Sequence, residues 1–351
     1  MENKNLSGFK FPGSGATLSR KEKDKIDLKI NQLIQKRGLS SVIGLIPSAL
    51  RARWKALFGK EFKTILKYSF KELPRVVRIN TLKINKRNFQ KITKKYSWKL
   101  KSLKISNAFI VVEKKAKKIE VTSEYKDGFF YSQQLASMLP VIILSPKPGE
   151  KILDIGAAPG SKTTQMAQLM ENKGKIMAND ISRERIKILK KNIKRLGIKN
   201  VRVNLGDGQT LGRKYSEKFD KALIDSPCSS EGIIRYKPHK LIEWSLQKLH
   251  TLTRIQKKLL ESGFNALKPG GVLIYSTCTY GVEENEAVID CLLRKYPSAD
   301  IAPIKLKSFK FRQGLLKWKD LKFDKRIRNA VRIYPYDIDS VGFFICKIVK
   351  K

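Results

Sequence analysis

L-D-I-G-A-A-P-G-S-K-T-T, running from Leu153 to Thr164, decides the fold of this 351-residue chain. An apolar run ends in Asp154, a loop of small residues follows, and a helix pattern opens near Lys162. Strand, small-residue turn and helix in that order are the first half of a parallel βαβ unit. Gly156, Ala157, Ala158 and Gly160 let a ligand approach the backbone closely, and amides at a helix start can bind an anionic or carboxylate group. The spacing is neither the G-x-G-x-x-G dinucleotide fingerprint nor the G-x-x-x-x-G-K-[ST] phosphate loop.

Downstream, strand and helix patterns alternate. Lys175–Ala178 precedes Glu184–Leu196, Val201–Leu205 follows, Lys221–Ile224 precedes Leu241–Ala266, and Gly271–Tyr275 precedes Glu283–Leu293. Such alternation predicts an α/β, Rossmann-like domain with a mostly parallel sheet and helices on both faces. Asp180, Asp207 and Asp225 follow successive strand candidates. One aspartate at a strand end is ordinarily a turn or cap residue. Three of them beside a glycine loop mark a ligand crevice at the carboxyl ends of the strands, with Asp180 spaced to bind a ribose diol. Arg332-Ile-Tyr-Pro and Val341–Val349 read as two closing strands, an antiparallel edge.

Two of the four cysteines sit just beyond such strands: Cys228 in D-S-P-C-S-S-E-G (Asp225–Gly232) and Cys278 in S-T-C-T-Y (Ser276–Tyr280). Two thiols and the Asp225 carboxylate are thereby expected in one pocket, a set suited to an electrophilic ring carbon. Cys291 and Cys346 lie on apolar patterns and read as core. No C-x-x-C pair occurs, so neither a metal site nor a disulfide framework is expected. His239 and His250 lack ligand companions and are given no role.

Upstream, residues 1–18 read as a flexible tail and 19–72 as a helical segment broken at Gly38 and Pro47. Residues 73–130 read as a small α/β subdomain with strands at Arg75–Ile84, Ala108–Glu113 and Lys118–Thr122. The alternating domain spans 131–351 and carries a basic, aromatic insert at about 300–330. Lys and Arg number 74 against 31 Asp and Glu, a net charge of +43. That excess calls for a polyanionic partner, nucleic acid first. With no apolar signal region and no run long enough to span a membrane, a reducing, cytoplasmic setting is expected.

In these residues the chain resembles the Nol/Nop/Sun family of RNA cytosine-5 methyltransferases. R-I-N-T-L-K (Arg78–Lys83), the Leu153–Thr164 loop, N-D at Asp180, G-D-G at Asp207, D-S-P-C-S-S-E-G, K-P-G-G (Lys268–Gly271) and S-T-C-T-Y-G-V-E-E-N-E-A-V-I (Ser276–Ile289) carry the likeness. The resemblance implies a methyltransferase domain behind a small RNA-recognition-like subdomain, S-adenosyl-L-methionine as cofactor, and tRNA or rRNA as substrate. It implies that Gly156, Ala157, Ala158, Pro159, Gly160, Ser161 and Lys162 surround the methionine end of the cofactor. Asp180 would hold its ribose, Asp207 would lie near its adenine, and Arg185 and Asp225 would complete the site. Cys278 would attack the base, Asp225 would contact ring N3, and Cys228 would assist product release. Three departures stand out: Gly156 where the family has cysteine, Ser161 where it has a second glycine, and Ser230 where glycine is usual.

Carbon-5 of cytosine is too weak a nucleophile to take a methyl group directly. A thiolate added at carbon-6 makes the ring an enamine and loads carbon-5 with electron density. Cys278 therefore needs a lowered pKa, and a protonated Asp225 would stabilise the adduct at N3. The target base must be unstacked, which favours loops and junctions in RNA. The rival readings are a noncatalytic RNA-binding or ribosome-assembly protein on the same fold, and a methyltransferase acting on another base or on protein. The expected state is a monomer.

Overall fold

The computed structural model describes residues 5–6, 9–10, 12–112, 119–306, 309 and 311–351. Much of the expected tail over 1–18, the basic run 114–118 and positions 307, 308 and 310 of the insert lie outside the described residues.

Ser19 opens helix α1 (Arg20–Arg37) with a reciprocal cap: its hydroxyl accepts from the Glu22 amide and its own amide donates to the Glu22 carboxylate at 2.7 Å. Ile26, Ile30 and Leu33 recur at three- and four-residue intervals and are buried against Val42, Leu45 and Ile242. Helix α2 (Ser48–Phe58) buries Leu50, Trp54 and Phe58, and α3 (Phe62–Ser69) buries Ile65 and Leu66. These helices form one apolar cluster with Trp244, Tyr280 and Tyr334 of the domain that follows.

Strands β1 (Arg75–Ile79), β2 (Lys99–Ser102), β3 (Ala108–Val112) and β4 (Phe130–Ser132) make an antiparallel sheet in the order β2-β3-β1-β4. Helix α4 (Lys86–Lys95) covers it through Phe89, packed on Phe109 and Phe130. The strand expected at Lys118–Thr122 is instead a single 3-10 turn at Ile119–Val121. The second edge of β1 is paired by β4. Apolar alternation alone does not tell a strand from a turn that seats one side chain, here Ile119, in the core.

After α5 (Leu135–Leu144) comes the large sheet: β5 (Lys151–Ile155), α6 (Ser161–Leu169), β6 (Lys175–Asp180), α7 (Arg183–Leu196), β7 (Val201–Leu205), β8 (Phe219–Asp225), α8 (Leu246–Ala266), β9 (Leu267–Thr277), α9 (Glu286–Lys295), β10 (Ala299–Ile301), β11 (Arg312–Gln313), β12 (Val331–Ile333) and β13 (Phe343–Lys350). The strand order is β11-β12-β13-β9-β8-β5-β6-β7, with β10 also paired to β13. From β7 to β9 every pairing is parallel. The C-terminal strand is interior rather than an edge: β13 runs antiparallel between β9 on one side and β10 and β12 on the other. Leu223, Leu273, Ile274 and Ile345 fill the core between the sheet and its helices. The chain leaves β5 toward β6 and later returns to β5's other side at β8, so the strand order reverses between β5 and β8. Ligands of open α/β sheets bind at such a reversal.

Candidate active site

At the reversal the two carboxyl ends almost touch. Gly156 has φ +77°, and a Cβ there would lie 2.4 Å from the Asp225 carbonyl oxygen. Glycine at this departure from the family pattern is therefore a steric requirement of the backbone as folded. Its amide and that of Ala157 donate to the Asn179 carbonyl, which ties the loop to β6. Gly160, at φ +104°, turns the chain into α6.

Asp180 is 2 % exposed. It accepts from the Ala158 and Ser182 amides at 3.2 and 3.0 Å and pairs with Arg185 at 3.1 Å. Arg185 also donates to the Ala158 carbonyl. Asp180 and Arg185 thus brace the loop they were expected to serve. Asp207 caps the short 3-10 turn Gly208–Thr210, accepting from the Gln209 amide at 2.9 Å. Asp154, beneath the loop, is fully buried; one carboxylate oxygen accepts from Thr163 at 2.6 Å and the other has no partner among the described residues. Burial pushes this carboxyl up to about 7.

Asp225 ends β8 in parallel register with Ser276 of β9. Three and two residues further on, the thiols of Cys228 and Cys278 meet at 3.3 Å. The pair is asymmetric. The hydrogen bond between the two thiols lowers Cys278, while that bond and burial raise Cys228. Of the two thiols Cys278 is therefore the one that ionises more readily. The Ser230 hydroxyl lies 3.9 Å from the Cys278 sulfur and donates to the Cys228 carbonyl at 3.2 Å. Ser230 itself has φ +64°, the left-handed region that favours glycine. Lys162, buried in the first turn of α6, pairs with Asp225 at 2.6 Å. The sequence reading gave Asp225 a proton; the structure gives it an ammonium partner.

Behind the thiols lies a layer that the sequence reading missed. Glu284 accepts from the Ser229 amide at 2.8 Å, the Ser229 hydroxyl at 2.5 Å and Gln256 at 2.9 Å, and so clamps the Cys228 loop to the Cys278 loop. Burial lifts Glu284 to about 7. Glu231 accepts from the indoles of Trp54 and Trp244, both at 3.0 Å. Glu283 pairs with Arg53, Asn285 bridges Thr277 and the Thr279 carbonyl, and Glu286 pairs with the buried Arg332. The run E-E-N-E is thus four separate anchors for one loop. The available signal was its density of acids next to a cysteine motif. Cys346 is buried and Cys291 half-buried. His239 pairs with Asp27 of α1 at 2.8 Å, a structural tie.

Residues 141–349 match the family model described as 16S rRNA methyltransferase RsmB/F. A tRNA (cytosine(49)-C(5))-methyltransferase of Pyrococcus abyssi is 39 % identical over 295 residues, 81 % of this chain and 90 % of that one. A ribosomal RNA small subunit methyltransferase F of Serratia proteamaculans is 37 % identical over 79 % of this chain, which spans 57 % of that relative's length. Among solved structures, a methyltransferase homolog protein of Pyrococcus horikoshii superposes with TM-score 0.78 at 35 % identity, covering 89 % of this chain and 98 % of that one. NSun6 of the same organism, crystallised with SFG, gives TM-score 0.75 at 27 % identity over 87 % of this chain and 98 % of its own.

Proposed function

From the premise that this chain belongs to the RsmB/F family of RNA cytosine-5 methyltransferases, we propose that it methylates carbon-5 of a cytosine in structured RNA, tRNA or rRNA, through an adduct on Cys278. The observation that carries the reading is the 3.3 Å thiol pair beside the Lys162–Asp225 ion pair at the end of β8.

The residues present fit S-adenosylmethionine. The loop Gly156–Lys162 opens at the strand-order reversal, and the first amides of α6 have no partner within their helix. Asp180 still has lone-pair capacity for a hydroxyl, and Ile181 beside it is 69 % exposed, an apolar face at a polar rim. When bound, this group supplies an electrophilic methyl on a positively charged sulfur.

Cys278 supplies the thiolate that adds to carbon-6. Electron density moves toward N3 as that bond forms, and a proton is needed there. Asp225 faces N3 in this reading, and the Lys162 ammonium at 2.6 Å is its proton source. After methyl transfer Cys228, having first passed its own thiol proton to solvent, takes the carbon-5 proton. The carbon-5–hydrogen pair becomes the carbon-5–carbon-6 double bond as the Cys278–carbon-6 bond breaks with its pair returning to sulfur, and the N3 proton goes back to the Asp225–Lys162 pair. The small sheet β1–β4 and the cationic surface hold the RNA. The enzyme acts as a cytoplasmic monomer.

Incubating the purified chain with tRNA and 16S rRNA transcripts and methyl-labelled cofactor, followed by bisulfite sequencing, tests the reading. Label at one cytosine in one of the two RNAs is the expected result. Cofactor binding with no label in either RNA would return the noncatalytic alternative.

A further inference from the structure

Among the described residues, Arg78, Arg235 and Arg332 are the buried arginines. Arg235 pairs with Asp339 and Arg332 with Glu286. Arg78 has no acidic partner among the described residues: it donates to Gln133, Gln168 and Thr164, all neutral, and lies over the Tyr131 ring at 5.7 Å. A second guanidinium, Arg195, lies close enough to oppose its charge, and burial with that neighbour brings Arg78 down to about 10. A buried cation held by neutral groups is costly unless an anion completes it.

Arg78 also lines a cavity of about 440 Å³ between the β2–β3 loop, the end of α5, helix α6 and the segment at Phe309. That is within the roughly 300–1,000 Å³ of small-ligand sites. Lys104 stands at the rim, Ile142 and Phe309 form an apolar wall, Gln168 and Ser106 offer polar edges, and none of the described lining residues is acidic. Cations without acids select a phosphate, and an aromatic wall with amide and hydroxyl groups suits a base. We propose that this cavity is a nucleotide subsite that seats one unpaired, phosphate-bearing nucleotide of the RNA, away from the reacting cytosine.

The placement fits that use. Gln168 lies six residues beyond Lys162 on α6, about 9 Å along the helix axis. The Gln133 amide accepts from Arg78 and donates to the Ser137 carbonyl, and Lys162 reaches the Ser137 hydroxyl, so a hydrogen-bonded path joins the cavity floor to Asp225. A nucleotide flanking the target would be gripped while the target enters the thiol pocket. The biological ligand rests on the RNA reading above, but the test needs no methyl transfer.

The probe is uridine 5′-monophosphate titrated calorimetrically into the full chain, with uridine and inorganic phosphate as separate arms. Arg78 is buried and its replacement could unfold the chain, so two exposed positions carry the test: Lys104→Glu and Ser106→Trp, the second plugging the cavity. The expected result is about tenfold weaker binding of the probe in Lys104→Glu and loss of binding in Ser106→Trp, both folded by circular dichroism. Equal binding in the unaltered chain and both variants overturns the subsite. Phosphate binding as tightly as the mononucleotide, with no contribution from uridine, overturns the nucleotide assignment in favour of a simple anion site. Absence of methyl transfer in the unaltered chain, with the titrations as expected, would sink the RNA methylation reading and leave the subsite standing.

Discussion

The two loops that carry the cysteines have a front and a back, and they are built differently. The front, facing the crevice, holds few groups: the half-buried Cys228 and Cys278, the Ser230 hydroxyl, and Asp225 with Lys162. The back, facing the N-terminal helices, holds many: Glu231 under two indoles, Glu284 on Ser229 and Gln256, Glu283 on Arg53, and Glu286 on Arg332. Reactivity needs a few groups that are incompletely satisfied. Holding two sulfurs at a fixed separation needs many that are fully satisfied. The comparison predicts that front substitutions remove activity at constant stability, and that back substitutions remove both.

The largest effect belongs to the front. Cys278→Ala should reduce methyl transfer by roughly 10⁴-fold or more, as loss of a covalent nucleophile does, with an unchanged melting temperature. Cys228→Ala should still form the adduct and accumulate it as a slow-migrating protein–RNA band on denaturing gels. A fall of several degrees in the melting temperature of Cys278→Ala would break the front–back distinction.

At the back, Trp54→Ala removes a fully buried indole that packs edge-on against Tyr280 and donates to Glu231. Deletions of this kind cost about 3–5 kcal/mol. Urea unfolding should show that loss, and activity at growth temperature should fall with it. A Trp54→Ala chain as stable as the parent would mean that α2 is an appendage and not part of the site.

This dependence on α2 was invisible in the sequence, although the front was legible. The glycine loop, Asp180, Asp207, Asp225 and both cysteines sit in short motifs whose spacing follows from strand–turn–helix geometry, so local pattern finds them. Trp54 and Glu231 are 177 positions apart, and no periodicity links them. The same blindness explains the smaller errors. Leu241–Ala266 read as one helix, yet Trp244 turns extended to reach Glu231, and a new helix starts under a Ser245 cap. Arg332-Ile-Tyr-Pro and Val341–Val349 read as an edge because the strands that pair with them on the outer side, Arg312–Gln313 and Ala299–Ile301, are too short to announce themselves.

Glu284 sharpens the comparison through pH. Its folded value of about 7 stands above the roughly 4.3 of a free glutamate. Between these values the folded chain keeps a proton that the unfolded chain has released. The stability linked to this group is therefore fully present below about pH 4 and is lost as pH rises through 7. Glu284→Gln does not titrate, so its urea midpoint should fall less between pH 5 and 8 than that of the parent. Some slope should persist in both chains because Asp154 titrates in the same window and the same direction. Parallel curves for the two chains would refute the clamp's ionisation behaviour.

The smallest effect tests the front at its one departure in the cysteine loop. Ser230 holds φ +64° at a cost on the order of 1 kcal/mol that glycine would not incur. Ser230→Gly should therefore leave stability within about 1 kcal/mol of the parent, with relief of strain offsetting loss of the 3.2 Å bond to the Cys228 carbonyl. Chemistry should move the other way. The hydroxyl near the Cys278 sulfur is one of the groups that lower this thiol, so its removal should raise it. Iodoacetamide alkylation of Cys278, followed against pH in a Cys228→Ala background, should then shift its midpoint upward, and the methylation rate at pH 7 should fall a few-fold. A serine retained for loop geometry alone would leave that midpoint where it was, because glycine satisfies the same backbone angle. Only a serine that acts on the sulfur moves it.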